Sequence, residues 1–453
     1  MKVNSFILKT LSSISLLWLG SLFGAGIALI TQVILAKELT PSDYGVFASA
    51  VATISLFVPL ASFGVQGYWL KIFGLEGWSA LRWLSLSFCF VALCTLFTLF
   101  CIAIWANFGP HNNSFRWLLF ILLPMVMAYS VIELVGGKFK LEERFTSLAL
   151  WQLIPHLLRF LFILLFLFTA SEGANVYSIG GIYALVALIM IIIGVFQLIA
   201  MRYGQFALAG HIKPGANEGN KLNKTALDLS KISLLAKNTW PFAITSLLYL
   251  VYFQSDIIIL KYLKGDEAAG IYNIGFIIMA SVYLLPNAIY QKFLLPKFHR
   301  WAYHDRSRFL ASYRFGNGCM LLLGTLVAVF IALTTPLIIP SLFDAVYIEA
   351  IDVLSILSLC IPLHFLATSI GAALVTNENI RRKVFYIGVA AAINVLLNLK
   401  LIPLYGIMGA AYSTLLSEGV LLALYLFAVR KYVFGSDAWY GWNLKLKNFV
   451  KEI

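Results

Sequence analysis

Apolar residues along this chain come in long, nearly unbroken runs separated by short polar turns. Twelve runs of about 20 residues stand out, the length an α-helix needs to cross a ~30 Å hydrocarbon layer. Their approximate limits are 12–35, 45–68, 83–106, 117–135, 147–169, 178–201, 240–260, 270–291, 317–340, 350–374, 384–402 and 406–429. The pattern predicts an all-α integral membrane protein with twelve transmembrane helices. The first run follows Lys2 and Lys9 as a signal peptide's would, but it is too long and lacks a clear small-residue cleavage site, so it is expected to be a retained span.

The longest polar stretch, 203–239, contains Pro214, Gly215 and Gly219 and then a lysine-rich run from Lys221 to Lys237. It predicts a cytoplasmic linker with a short interfacial helix, separating spans 1–202 from spans 240–430, with a tail at 431–453. Six spans lie on each side. Six is even, so both halves cross the membrane in the same sense, which predicts parallel repeats. A sequence echo agrees. At an offset of 225, residues 35–47 match 260–272: an apolar exit, a short turn with lysine and acid, then Gly45 or Gly270 opening an apolar helix. Any short outer turn collects Gly, Lys and Asp, and that is the plainer account of the echo.

Charge orients the helices. With the N-terminus inside, 27 of the 33 Lys and Arg residues fall on inner segments; the outer segments hold Lys37, Arg116, Lys261, Lys264 and Lys400. That is a strong positive-inside bias, and it puts both termini in the cytoplasm. Arg159, inside span five, is the one cation it leaves over. The net charge of +13 therefore needs no nucleic-acid partner, since the cations sit beside spans where they meet anionic headgroups. Hydrophobic residues make up 61% of the chain and charged ones 12%, against roughly 25% charged in a soluble domain. All five cysteines (Cys89, Cys94, Cys101, Cys319, Cys360) lie in apolar runs, and no Cys/His pair has metal-ligand spacing. Neither a disulfide framework, a metal nor another cofactor is expected. No phosphate-binding loop occurs; Gly136-Gly137-Lys138 lacks the upstream glycine and the hydroxyl. Work would have to come from an ion gradient, the membrane potential or the cargo's own gradient.

The segment 35–47 resembles the first outer turn of polysaccharide flippases, the Wzx-type O-antigen unit translocases of the multidrug/oligosaccharidyl-lipid/polysaccharide exporter superfamily. Four other stretches share the likeness: Phe253-Gln254-Ser255-Asp256 through Leu260; Gly270-Ile271-Tyr272; Leu285-Pro286-Asn287 through Pro296-Lys297; and Asn394 through Asn398 to Pro403, continuing through Gly406 and Gly409 to Ala411. The likeness runs over nearly the whole chain, and its motifs are structural, so it identifies the fold better than the cargo. It implies two six-helix bundles around a central cavity lined largely by spans one, two, seven and eight. It also implies a non-enzymatic flippase that carries undecaprenyl-pyrophosphate-linked oligosaccharide across a bacterial inner membrane by alternating access. Besides that cargo and membrane lipids, a polysaccharide polymerase and a chain-length regulator are the partners to expect.

A diphosphate-bearing sugar lipid needs cationic anchors and a polar path. Arg159 is the first candidate: near mid-depth it costs ~2.5–3.5 kcal/mol, so it should face protein or water, and its fork suits phosphate. His156 precedes it by almost a turn. The competing role is a tie to a carboxylate or backbone carbonyls. Lys71, Lys292 and Lys297, at the inner ends of spans two and eight, either catch the diphosphate or are ordinary positive-inside residues. Asn287, Gln291 and Asn273 in span eight and Gln32 in span one are sugar contacts by location only. Asp256 either takes a coupling proton or pairs with Lys261 at the helix end. His364 and Glu418 are proton relays or packing residues. Glu133 reads as structural, paired with Lys138 or Lys140. The tail around Trp439, Tyr440 and Trp442, with Lys445 and Lys447, reads as an interfacial segment.

A cation-coupled multidrug antiporter of the same superfamily would share the fold but want an acidic cavity. A membrane glycosyltransferase or polymerase would need a large loop with clustered acids, and no outer loop exceeds about fifteen residues.

Overall fold

The computed structural model describes residues 2–170, 173–203, 205–208, 229–287, 304–374 and 377–442, with isolated positions between 289 and 302, and side chains of the first helix from Gly20 onward. The described residues are helical, with no strand among them. Eleven of their segments are long and apolar enough to cross a membrane, and one of the eleven, Pro41–Phe108, is a run of several helices. Its two longest helices, α2 (Pro41–Ser62) and α4 (Leu84–Phe108), are the second and third predicted spans. The protein is a multi-pass membrane protein.

Two compact units emerge: Met1–Thr31 with Ser49–Leu250, and Gln32–Ala48 with Val251–Ile453. The first holds most of α1 (Lys2–Glu38) and α2, then α3 (Val65–Glu76), α4, α5 (Asn113–Leu141), α6 (Phe145–Thr169) and α7 (Val176–Arg202). Helix α5 packs along α7 and touches α3, α4 and α6. Trp69, Leu84, Val135 and Met190 are buried in its core, and the Trp151 indole donates to the Ile132 carbonyl at 3.1 Å. Span two ends at Phe63 and Gly64, both with positive φ (45° and 69°). A Cβ on Gly64 would come within 2.6 Å of the Ala243 backbone nitrogen, so both the turn and the close approach require glycine. Leu93, Phe97, Phe100 and Ile104 form an exposed apolar stripe on α4, at the spacing of one helix face. In a bilayer such a face meets lipid and costs nothing.

The second unit contains the remainder of α8 (Leu229–Lys264), then α9 (Asp266–Asn287), α10 (Arg306–Phe343), α11 (Ala350–Ser358), α12 (Cys360–Gly371), α13 (Asn377–Tyr405) and α14 (Ile407–Val429). Helix α13 runs along α14, and α10 packs on α12. The tenth span, expected as one helix, divides at Leu359. Pro362 has no N–H for the Ser358 carbonyl, which accounts for the break. Helix α8 starts eleven residues before the predicted limit of 240 because Ile232, Leu235 and Ala236 pack their apolar face onto the first unit's core. Of the linker expected over 203–239, residues 229–239 form the first part of α8, while 209–228 and the tail lysines Lys445 and Lys447 lie outside the described residues. Of the tail, Trp439 and Tyr440 are exposed.

The two echoed turns meet inside this second unit. A Cβ on Gly45 would collide with the Asp266 carbonyl, and one on Gly270 with the Pro41 carbonyl. These pairs exchange under the offset of 225: Pro41 corresponds to Asp266 and Gly45 to Gly270. Two helix starts of the same pattern are thus in reciprocal backbone contact, which a chance resemblance of outer turns does not explain.

Candidate transport site

Helix α8 carries Asp256 into the middle of a buried polar cluster. Its carboxylate accepts from the Tyr272 hydroxyl at 2.8 Å, the Thr414 hydroxyl at 2.6 Å and the Asn398 amide. Asn398 also donates to Asn394 Oδ1 at 3.1 Å, which accepts from Ser255 at 3.0 Å. Asn394 donates in turn to the Ser417 hydroxyl at 3.2 Å. Asn394 and Asn398 are four apart on α13, so they share one helix face. Buried polar atoms left without partners cost about 1–3 kcal/mol each, so a network of this size persists only when nearly complete. One oxygen, Asn398 Oδ1, is buried without a partner.

The expected pairing of Asp256 with Lys261 is not what forms. Lys261 pairs with Asp266, five residues on across the outer turn, and Lys264 donates to the Pro403 carbonyl at 3.2 Å. The turn after Lys264 folds α9 back so that Asp266 is nearer to Lys261 than Asp256, more than a helical turn below. Among the described residues no Lys or Arg pairs with Asp256.

His364 and Glu418, separate candidates in the sequence, meet: Nδ1 and Oε1 are 3.0 Å apart. The imidazole stacks on Tyr283 with centroids 3.8 Å apart. Asp256, Glu418, Thr414, Tyr252, Tyr272 and Tyr283 line one small cleft of about 30 Å³ in this unit. Sequence reading had Asp256 and Glu418 but missed Asn394, Asn398, Thr414 and the three tyrosines. The four-residue spacing of the two asparagines in an apolar run was the available signal.

Asn273 donates to the Tyr44 hydroxyl at 2.9 Å, and Tyr44 donates to Gln32 at 3.1 Å. These two sugar-contact candidates are therefore linked through one tyrosine. Asn287 ends α9 half-buried. Gln291, Lys292 and Lys297 lie outside the described residues, and Lys71 is exposed on α3.

Arg159 belongs to the first unit. Its guanidinium lies 4.6 Å from the Tyr183 ring centroid and 5.9 Å from that of Tyr129, and its Nε is buried without a partner. The carboxylate tie weighed in its favour as a structural residue is not found among the described residues. Of the two partners expected for Glu133, Lys138 instead donates to Gln197 Oε1 at 2.8 Å, while Lys140 is the cation whose charge acts on the Glu133 carboxylate. The five cysteines are free thiols, and no group of three metal-ligating side chains occurs among the described residues.

The sequence profile described as "Polysaccharide biosynthesis protein" matches residues 10–301. An uncharacterized membrane protein of Methanocaldococcus jannaschii is 24% identical over 442 residues, covering 90% of this chain and 81% of its own. Among solved structures, the lipid II flippase MurJ in an inward closed conformation superposes with a TM-score of 0.70 at 13% identity, covering 96% of this chain and 89% of that one. An inward-facing multidrug resistance MATE family transporter of the MOP superfamily gives 0.66 at 12% identity, covering 90% and 94%. The fold is thus that of these membrane transporters.

Proposed function

The chain belongs to the family of polysaccharide biosynthesis proteins, and on that footing we propose that it is a flippase for lipid-linked oligosaccharide. The cargo would be an undecaprenyl-pyrophosphate-linked repeat unit, carried from the cytoplasmic to the outer leaflet of a bacterial inner membrane for O-antigen, capsule or exopolysaccharide assembly. Polymerase and chain-length regulator would act on the product. The observation that carries the reading is Arg159, a membrane-depth guanidinium without a carboxylate partner among the described residues. Two cation–π contacts return about 0.5–2 kcal/mol each at best and the Tyr129 hydroxyl adds one hydrogen bond, which together about meet its insertion cost. A diphosphate completes the balance with charge-assisted bonds that aromatic faces cannot supply.

Drive is assigned to the second unit. Asp256, two amide groups and the Thr414 hydroxyl are hard oxygen donors, suited to a proton or an alkali cation. His364 with Glu418 offers a second protonatable pair on the same cavity. One cation crossing ~100 mV supplies about 2.3 kcal/mol, a roughly fifty-fold bias on an exchange equilibrium. Transport would follow alternating access, with the reciprocal contact at Gly45 and Gly270 parting in the opposite state.

One observation favours a second reading. The small cleft of the second unit carries two carboxylates among aromatic rings, a lining whose chemistry also suits an organic cation once the cleft widens, as in a cation-coupled multidrug antiporter. Deleting the gene separates the two. A flippase leaves lipid-linked repeat units accumulating on the cytoplasmic leaflet with unchanged drug tolerance; an antiporter leaves precursor pools normal and raises sensitivity to cationic drugs.

A further inference from the structure

The first unit has an apolar groove that the transport reading does not use. It lies where α4 and α7 flank α5, bounded by Phe88 and Leu99, Met127 and Leu134, and Val195 and Arg202, and has a volume of about 410 Å³. Its lining comes from the first half of α4 and the final halves of α5 and α7. Because α4 runs opposite to the other two, all three contributions fall at the end that the basic residues assign to the cytoplasm.

Two features define what fits there. The first is length. Phe88 to Leu99 spans about 16 Å of helix, close to half of a ~30 Å hydrocarbon layer, so the groove is one leaflet deep. The second is polarity. The hydroxyls in the lining are already committed, Thr95 to the Ala61 carbonyl at 3.4 Å and Ser130 to the Val126 carbonyl at 3.1 Å. Nothing along the groove asks for a sugar or a polar ligand. Its walls are open to the bilayer, since Leu96, Met127, Val195 and Ile199 are exposed while Val91, Leu134 and Leu198 form a buried floor. Only the inner end is charged, where exposed Arg202 is followed by exposed Tyr203, the pairing of cation and aromatic that marks a headgroup level.

We propose that this groove holds an anionic phospholipid of the cytoplasmic leaflet, one acyl chain lying between α4 and α7 and its phosphate at Arg202. An apolar slot with a single cation at the headgroup end complements such a lipid and gives a zwitterionic one less.

The test uses the full-length protein in vesicles containing phosphatidylglycerol or phosphatidylcholine with a photoactivatable acyl chain, adducts being mapped by peptide mass spectrometry. Labelling by phosphatidylglycerol is expected to concentrate on the groove, exceeding that on the exposed α10 face at Leu326, Phe330 and Leu333. Arg202→Gln should bring phosphatidylglycerol labelling down about tenfold, the worth of one charge-assisted contact, to the phosphatidylcholine level. Ala92→Trp should remove groove adducts and leave α10 adducts intact, which also verifies folding; Val195→Trp serves if Ala92→Trp does not fold. The proposal is overturned by groove labelling no higher than on α10, by labelling indifferent to the filling variant, or by equal labelling from both lipids in the wild type. It is also overturned if undecaprenyl phosphate displaces the probe where unlabelled phosphatidylglycerol does not.

Discussion

Arg159 shows how a single side chain can be visible in sequence while its surroundings are not. A cation in the middle of span five could not be absorbed by the positive-inside bias, so the sequence marked it. What it touches depends on α5 and α7, and tyrosines at 129 and 183 look like ordinary span residues until the helices are packed. Replacing Arg159 by Ala removes the charge and leaves two rings facing a small void. Surface polysaccharide should be lost while the amount of protein in the membrane, measured by immunoblot of membrane fractions, stays near wild type; normal polysaccharide would remove Arg159 as an anchor. Asp256 teaches the complementary lesson. Its nearest basic neighbour in sequence, Lys261, turned out to serve Asp266, because a hairpin between helices brings residues five apart closer than those a turn and a half along one helix. Its real partners come from α9, α13 and α14 (Tyr272, Asn398, Thr414), at sequence separations that no local reading reaches.

At the scale of elements, helix positions were legible because lipid imposes one rule on length and composition, and predicted limits fall within a few residues of most observed ones. Two departures have local causes, Pro362 dividing span ten and an amphipathic segment before residue 240 extending α8; α10 also begins eleven residues before the predicted limit of 317. The repeat was legible as a faint echo and became physical at Gly45 and Gly270, where backbones meet too closely for any Cβ. Gly45→Ala and Gly270→Ala each force the same contact apart and should cost about 1–3 kcal/mol, the usual price of overpacking. Because one separation relieves both clashes, the double variant should cost clearly less than the sum; additive losses in detergent-melting measurements would mean the two sites are independent. A pH effect belongs to the start of α10. Asp305 caps that helix from outside the membrane, and its carboxyl is held below the usual carboxylate range by the Arg308 backbone N–H, with the Ser307 hydroxyl assisting. A depressed carboxyl stabilises above its ordinary value of about 3.9 and loses that contribution as pH falls through the folded-state value. Protection of the amides in the first turn of α10, relative to their intrinsic exchange rate, should therefore fall below about pH 4, and Asp305→Ala should show low protection at every pH.

For the whole molecule, the all-helical membrane class and the succession of long apolar helices were legible in sequence, and the fold agrees with transporters that share only 12–13% of its residues. Chemistry was less legible because its groups are spread over many helices: Arg159 lies among tyrosines in one unit, and the oxygen-rich cluster and the His–Glu pair, proposed to take the driving ion, lie in the other. The central claim is that these act together to move lipid-linked sugar. The direct measurement is translocation in proteoliposomes loaded on one leaflet with undecaprenyl-pyrophosphate oligosaccharide, followed by accessibility of the sugar to an added glycosidase. Wild-type protein should expose the sugar faster under an inward proton or sodium gradient, and Asp256→Asn, nearly identical in shape, should lose the gradient dependence while keeping its melting temperature. Sugar that stays protected with wild-type protein under every gradient, in vesicles where a cationic dye is expelled, would contradict the account.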